Sequence, residues 1–142
     1  MPDVINLLEA DHRAVEDLFA KAETTTGAAK AQVVAKIATE LTLHTEVEEQ
    51  VVYPAMRDAG LDDLVDEAEA EHQTVKSLLA RLEPLDGTSA DVDPVIAEIK
   101  ANVQHHVQEE ESDVFPKFRS ATDQSTLDSL GDQVEKLKQS NG

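Results

Sequence analysis

Apolar residues recur every three or four positions along this chain, with polar residues filling the gaps almost from end to end. That spacing paints one stripe of a helix apolar and predicts helix nearly throughout. Val4, Leu7, Leu8, Val15, Leu18 and Phe19 mark a first helix from about Asp3, whose side chain suits an N-cap, to about Glu23. Thr24 to Gly27 read as a turn. A second helix runs from about Ala28 to Tyr53 on Val34, Ile37, Leu41, Val51 and Val52, and Pro54 ends or kinks it. Leu64, Val65, Ala68, Val75, Leu78, Leu79 and Leu82 carry a third, from about Leu61 to Glu83. After the linker Pro84–Pro94, a fourth covers about Asp93 to Phe115 on Ile96, Ile99, Val103, Val107 and Val114, with Pro116 standing where Pro54 stood. Leu127, Leu130, Val134 and Leu137 then mark a short amphipathic tail helix.

The chain also repeats itself. EADHRAVEDLFA at 9–20 matches EAEHQTVKSLLA at 69–80, and HTEVEEQVVYP at 44–54 matches HVQEEESDVFP at 106–116. Two copies of one helical hairpin, each with a single apolar face, bury those faces against one another. The expected fold is therefore all-α: an up-down-up-down four-helix bundle of two repeated hairpins over residues 1–119. Residues 120–142 form a C-terminal tail lying on the bundle or on a partner.

Composition narrows the function. At 142 residues the chain is one domain's worth, and with aromatics at 3% its core must be mostly Leu, Val, Ile and Ala. A formal charge of −18 repels nucleic acid and anionic membrane. The absence of cysteine excludes disulfides, thiolate metal sites, iron–sulfur ligation and thiol catalysis. No apolar run is long enough to span a membrane and the N-terminus lacks a signal-peptide pattern, so a soluble cytoplasmic protein is expected.

The candidate chemistry lies where polar residues interrupt the apolar stripes. His12, His44, His72 and His106 each fall within a stripe, one per helix and at repeat-matched positions; His105 is rotated by about 100° and faces out. Glu48 and Glu110 each follow a core histidine by four residues, one turn along nearly the same face. A buried unpaired carboxylate is costly, so two of them among four imidazoles call for cations between them, with each glutamate able to span two metals. Asp11 and Glu71 read as surface residues with a weaker claim to orienting the imidazoles. Glu49, Glu109 and Glu111 read as solvated. Imidazole and carboxylate without sulfur suit iron, manganese or zinc. Ferritin-like bundles place histidine three residues after glutamate, the reverse of the order here.

With DH at 11–12, HTEVEEQVVYP at 44–54, EH at 71–72 and HHVQEEESDVFP at 105–116, the chain resembles the hemerythrin-like, or HHE cation-binding, family over about residues 3–119. The resemblance implies a bundle holding two iron ions with an oxo or hydroxo bridge, on His12, His44, Glu48, His72, His106 and Glu110. Two departures stand out. Oxygen-carrying hemerythrins have a fifth histidine where this chain has Lys76, and they place an aspartate where it has Glu111. Tyr53 is the candidate replacement, with Glu49 behind it; the alternative is that Tyr53 is a core aromatic like its repeat partner Phe115.

The expected function is binding or reduction of a small oxidant (O2, H2O2 or NO), with catalase-like peroxide decomposition as its enzymatic form. The alternatives are an iron- or oxygen-responsive sensor or stress-response module without turnover, and a structural bundle without metal. The expected partner is a diatomic or peroxide ligand, and the expected state a monomer or weak dimer. Iron–sulfur repair is disfavoured by the lack of cysteine.

Overall fold

The computed structural model describes residues 3–141. The elements are α1 (Val4–Thr24), α2 (Gly27–Val47), a first π-helical turn (Glu48–Val52), α3 (Tyr53–Asp58), α4 (Asp62–Leu82), α5 (Val92–Glu109), a second π-helical turn (Glu110–Val114), α6 (Phe115–Ala121) and α7 (Gln124–Asn141). The described residues contain no strand. α1 packs on α2 and α4 on α5, so each sequence repeat folds as an antiparallel hairpin, and the two hairpins complete the expected bundle. α7 crosses back over α1 and α2. Among the described residues, no helix is long and apolar enough to cross a membrane.

One detail departs from the sequence reading. Pro54 and Pro116 do not end their helices; the chain stays helical to Asp58 and Ala121. In each case a π turn precedes the proline, with the N–H of Tyr53 bonding the carbonyl of Glu48 and that of Phe115 bonding Glu110. An i→i−5 turn inserts one residue into the ladder, and the missing proline N–H then falls at the first positions of the next segment, where no intrahelical partner is needed. The same insertion turns residue i+5 back over residue i. Glu48 and Tyr53 therefore share a buried face, as do Glu110 and Phe115.

The core is divided. Val15, Leu18, Phe19, Ile37, Leu78 and Ile99 belong to one apolar cluster toward one end of the bundle. Ile5, Leu8, Met56, Val65, Phe115 and Phe118 belong to another at the opposite end, which the α7 residues Leu127, Leu130 and Val134 join. His12, His44, Glu48, His72, His106 and Glu110 are buried as well.

Two end structures fix the helices. After α3 the Leu61 N–H bonds the Met56 carbonyl at 3.0 Å and the Gly60 N–H bonds Arg57 at 3.0 Å. That double closure needs a left-handed residue, and Gly60 supplies it at φ +87°. At the N-terminus of α1, Asp3 accepts from the N–H groups of Ile5 and Asn6, and also from Arg119 of α6 and Gln124 of α7. Burial works to raise the Asp3 pKa, but the bonds from Gln124, Arg119 and the two backbone N–H groups outweigh it and hold the carboxyl below its ordinary value. Its contribution to stability is therefore complete above the ordinary aspartate pKa of 3.8 and is lost as pH falls through the lower folded value. Asp3→Ala is expected to cost about 1–2 kcal/mol in denaturant unfolding at pH 7, and the difference from wild type should shrink below pH 3.8.

Candidate metal centre

Four imidazoles and two carboxylates meet in one buried layer. His12 Nε2 lies 3.2 Å from Glu110 Oε1, and His44 Nε2 lies 3.1 Å from Glu48 Oε1. On the other side, His72 Nε2 lies 3.1 Å from Glu48 Oε1 and 3.2 Å from His106 Nε2, while His106 Nε2 lies 3.3 Å from Glu110 Oε2. The ligand atoms sort into two triads, His12–His44–Glu110 and Glu48–His72–His106. Each carboxylate also reaches the other triad, Glu48 through His44 and Glu110 through His106. Glu48 is 0% exposed and Glu110 1%.

The Nδ1 side of every ring is held by a further carboxylate. His12 Nδ1 lies 2.7 Å from Glu111 and His44 Nδ1 3.2 Å from Asp11. His72 Nδ1 lies 2.8 Å from Glu49, and His106 Nδ1 2.6 Å from Glu71. A carboxylate can only accept, so each Nδ1 carries a proton, and a ring that holds no second proton turns a lone pair inward from Nε2. The pattern follows the repeat: Asp11 and Glu71 each hold the histidine of their own hairpin, whereas Glu49 and Glu111 each hold one of the opposite hairpin. Asp11, Glu49, Glu71 and Glu111, read as surface or solvated from the sequence, are half-buried and orient the site.

Four nitrogen lone pairs and two carboxylates thus face one another, and among the described residues the one O–H donor directed among them is Tyr53, whose hydroxyl lies 3.1 Å from both His72 Nε2 and Glu110 Oε2. His12 Nε2, His44 Nε2, Glu48 Oε2 and Glu110 Oε1 are buried without any hydrogen-bond partner. Two atoms bound cis to one first-row metal at about 2.1 Å sit roughly 3.0 Å apart, which is the spacing these acceptors keep. The residues present fit a pair of cations. Without a metal, protons are the competing cations. Burial opposes charge on His44, but Glu48 and Asp11 outweigh it and push the ring up to about 10. His106 is likewise raised against burial by Glu110, Glu48 and Glu71. Burial raises the Glu48 pKa in turn, but the neighbouring imidazoles pull it well below the usual range.

The two halves are not identical. The Tyr53 ring lies 5.2 Å from that of His72, and its repeat partner Phe115 stacks on His12 at 5.9 Å. A hydroxyl therefore stands beside His72 and a bare ring beside His12. Lys76, at the position of the family's fifth histidine, turns outward and bonds Glu49 at 2.8 Å. Glu49, the second candidate to fill that position, is engaged by His72 Nδ1 and Lys76 instead. Glu111 lies on His12 Nδ1 and Arg13, which leaves Glu110 as the inward carboxylate of its motif. His105 is exposed, as its helix phase predicts. Above the layer, a cavity of about 30 Å³ is bounded by imidazoles and by Val15, Leu41, Val75, Val103 and Val107.

Comparison with known proteins bears on the fold and the family. A crystal structure of a hemerythrin HHE cation-binding domain-containing protein from Mycobacterium kansasii superposes with a TM-score of 0.85 at 22% identity, covering 98% of this chain and 87% of that one. That likeness establishes the shared fold. A protein of Nostoc sp. named as a DNA nickase is 26% identical over 119 residues, and this chain spans only 34% of its length. Residues 3–118 match the hemerythrin HHE cation-binding domain. The chain is a member of the hemerythrin HHE cation-binding domain family.

Proposed function

We propose that this protein is a non-haem di-iron protein that binds or reduces a small oxidant, with peroxide decomposition as its turnover reaction. The observation that carries this reading is the layer of inward-facing acceptors, four of whose buried atoms have no partner. His12, His44 and Glu110 would hold one iron and Glu48, His72 and His106 the other, with both glutamates bridging. Tyr53 would complete the ligand set of the second iron, in place of the fifth histidine. Imidazole, carboxylate and phenol donors without sulfur suit iron. Two irons so held can exchange two electrons with a bound oxidant.

The protein's own part is placement and exclusion. Val15, Leu41, Val75, Val103 and Val107 give the 30 Å³ cavity its apolar wall, and a molecule the size of peroxide or a diatomic gas would fit there beside the imidazoles. In the absence of metal the Tyr53 O–H donates to Glu110 at 3.1 Å, and as an iron ligand Tyr53 would give up that proton. In peroxide decomposition one H2O2 takes up two electrons and two protons to give two waters, and a second returns both pairs as it becomes O2.

A responsive binding module without turnover has one observation in its favour. Lys138 of α7 bonds Asp11, the residue that holds His44, at 2.6 Å, so a change at His44 has a direct contact to the tail helix. The nicking activity named for the Nostoc relative is opposed by the charge of −18.

Protein purified without an affinity tag is expected to carry two irons per chain and to gain thermal stability on anaerobic addition of ferrous iron. Less than about half an iron per chain with no such gain overturns the di-iron reading. Loaded protein mixed with peroxide is expected to release oxygen; failure to do so removes the turnover form. The ferric protein should show a long-wavelength phenolate-to-iron absorption band that Tyr53→Phe abolishes while helicity is kept. A wild-type spectrum without that band takes Tyr53 out of the ligand set.

A further inference from the structure

The four carboxylates behind the imidazoles differ in what closes them from outside. Lys138 closes Asp11, Lys76 closes Glu49 and Arg13 closes Glu111. Among the described residues no lysine or arginine pairs with Glu71. Its outer neighbours are His105, whose Nε2 lies 3.5 Å from Glu71 Oε2 and 3.0 Å from Glu109 Oε1, and Glu109 itself. Ligand atoms of Glu71, His105 and Glu109 lie within 4.8 Å of one another, a spacing that suits a single cation.

A cleft leads inward from this point. It has a volume of about 160 Å³ and runs between α4 and the α5–π segment. Glu67, Glu71 and Glu109 line its outer part, and His106 and Glu110 its inner part. Glu110 is 1% exposed and lies at the inner end of the cleft with its Oε2 3.3 Å from His106 Nε2, while its Oε1, turned toward His12, has no hydrogen-bond partner. Asp113 also lines the cleft but is paired with Lys117 at 2.9 Å.

The internal repeat supplies a control. The residues matching Glu67, His105 and Glu109 in the first hairpin are Leu7, Leu43 and Val47. There the mouth is apolar, α7 lies over that side, and the Lys138 ammonium sits on Asp11, the counterpart of Glu71. One end of the molecule carries its own cation at this position. The other presents an imidazole and two carboxylates to solvent.

We propose that Glu71, His105 and Glu109 form a loading site that captures a divalent cation and passes it along the cleft, by way of Glu110 and His106, to the buried triads. This inference rests on the di-metal reading above. A negatively lined cleft with low-dielectric walls concentrates cations and raises capture rates by about 10–1000-fold, an effect that falls as salt rises.

The test is anaerobic stopped-flow uptake of Co2+ by metal-free full-length protein, with the final Co2+ content measured on the same samples. His105→Gln/Glu109→Gln is expected to slow uptake at low ionic strength about tenfold, while the final content stays at two per chain. Glu109→Lys, which places a cation beside Glu71 as at the other three carboxylates, should slow it further. Asp17→Asn, an exposed carboxylate on α1, should leave the rate unchanged. Mn2+ titration followed by paramagnetic resonance should show one weaker ion per wild-type chain that the double variant lacks. Equal uptake rates at full Co2+ content overturn the loading site and leave the di-metal reading intact. A double variant that ends with fewer than two Co2+ would place these residues in the inner site and also overturn the proposal. Wild-type protein that takes up no Co2+ and no ferrous iron sinks both readings.

Discussion

The structure turns on one electrostatic constraint: lone pairs directed at one another inside a buried layer. An uncompensated buried carboxylate costs several kcal/mol, and here two of them share their volume with four imidazoles. Hydrogen bonding cannot resolve this, because the Nδ1 protons point outward to Asp11, Glu49, Glu71 and Glu111, and Tyr53 supplies the one inward hydroxyl. Only positive charge can. The rest of the bundle follows from holding that arrangement in place. The apolar clusters at the two ends fix the helices, and the outer carboxylates lock each ring in one tautomer and one plane. Lys76, Arg13 and Lys138 then balance three of those carboxylates.

Much of this was legible in the sequence, because a repeated pattern makes coincidence visible. His12 alone is an ordinary core histidine. His12, His44, His72 and His106 at matched positions, with Glu48 and Glu110 four residues after two of them, define a layer before any coordinates exist. The outer carboxylates were hidden for a definite reason. Helix phase sorts residues by the face of their own helix, and Asp11, Glu49, Glu71 and Glu111 sit on the flanks, where a side chain reaches round to the neighbouring helix. Their signal was present, since each is adjacent in sequence to one of the six inner residues and each recurs in both repeats.

The π turns were hidden more deeply. Reading at 3.6 residues per turn places residue i+5 well off the face of residue i, which separates Tyr53 from Glu48 and Phe115 from Glu110. The extra residue in each turn restores the overlap and brings Tyr53 into the layer. The visible trace was a proline at the same place in both repeats, which suggested a break. It marks instead a helix that tolerates proline because its ladder has already shifted register. The distortion serves the site, since an undistorted helix could not aim both a carboxylate and a phenol at the same point.

Duplication explains the shared frame, and divergence between the copies explains what each end does. Tyr53 and Phe115 differ by a single hydroxyl group, which gives His72 a protic neighbour and leaves His12 bordered by a bare ring. Leu7, Leu43 and Val47 on one side answer to Glu67, His105 and Glu109 on the other, so one mouth is greasy and covered by α7 while its counterpart is wet and acidic. A symmetric bundle would expose its buried layer equally from both directions. This one shuts the first hairpin's side with a lysine-tipped helix, leaving the second hairpin as the side through which charge can reach the interior. Placing the open route beside the Tyr53 triad also puts the one inward hydroxyl and the one unclosed carboxylate, Glu71, on the same half of the site, linked through His106 and Glu110. Glu110 belongs to the other triad, so the cleft and the Tyr53 hydroxyl both reach the carboxylate that joins the two halves of the site.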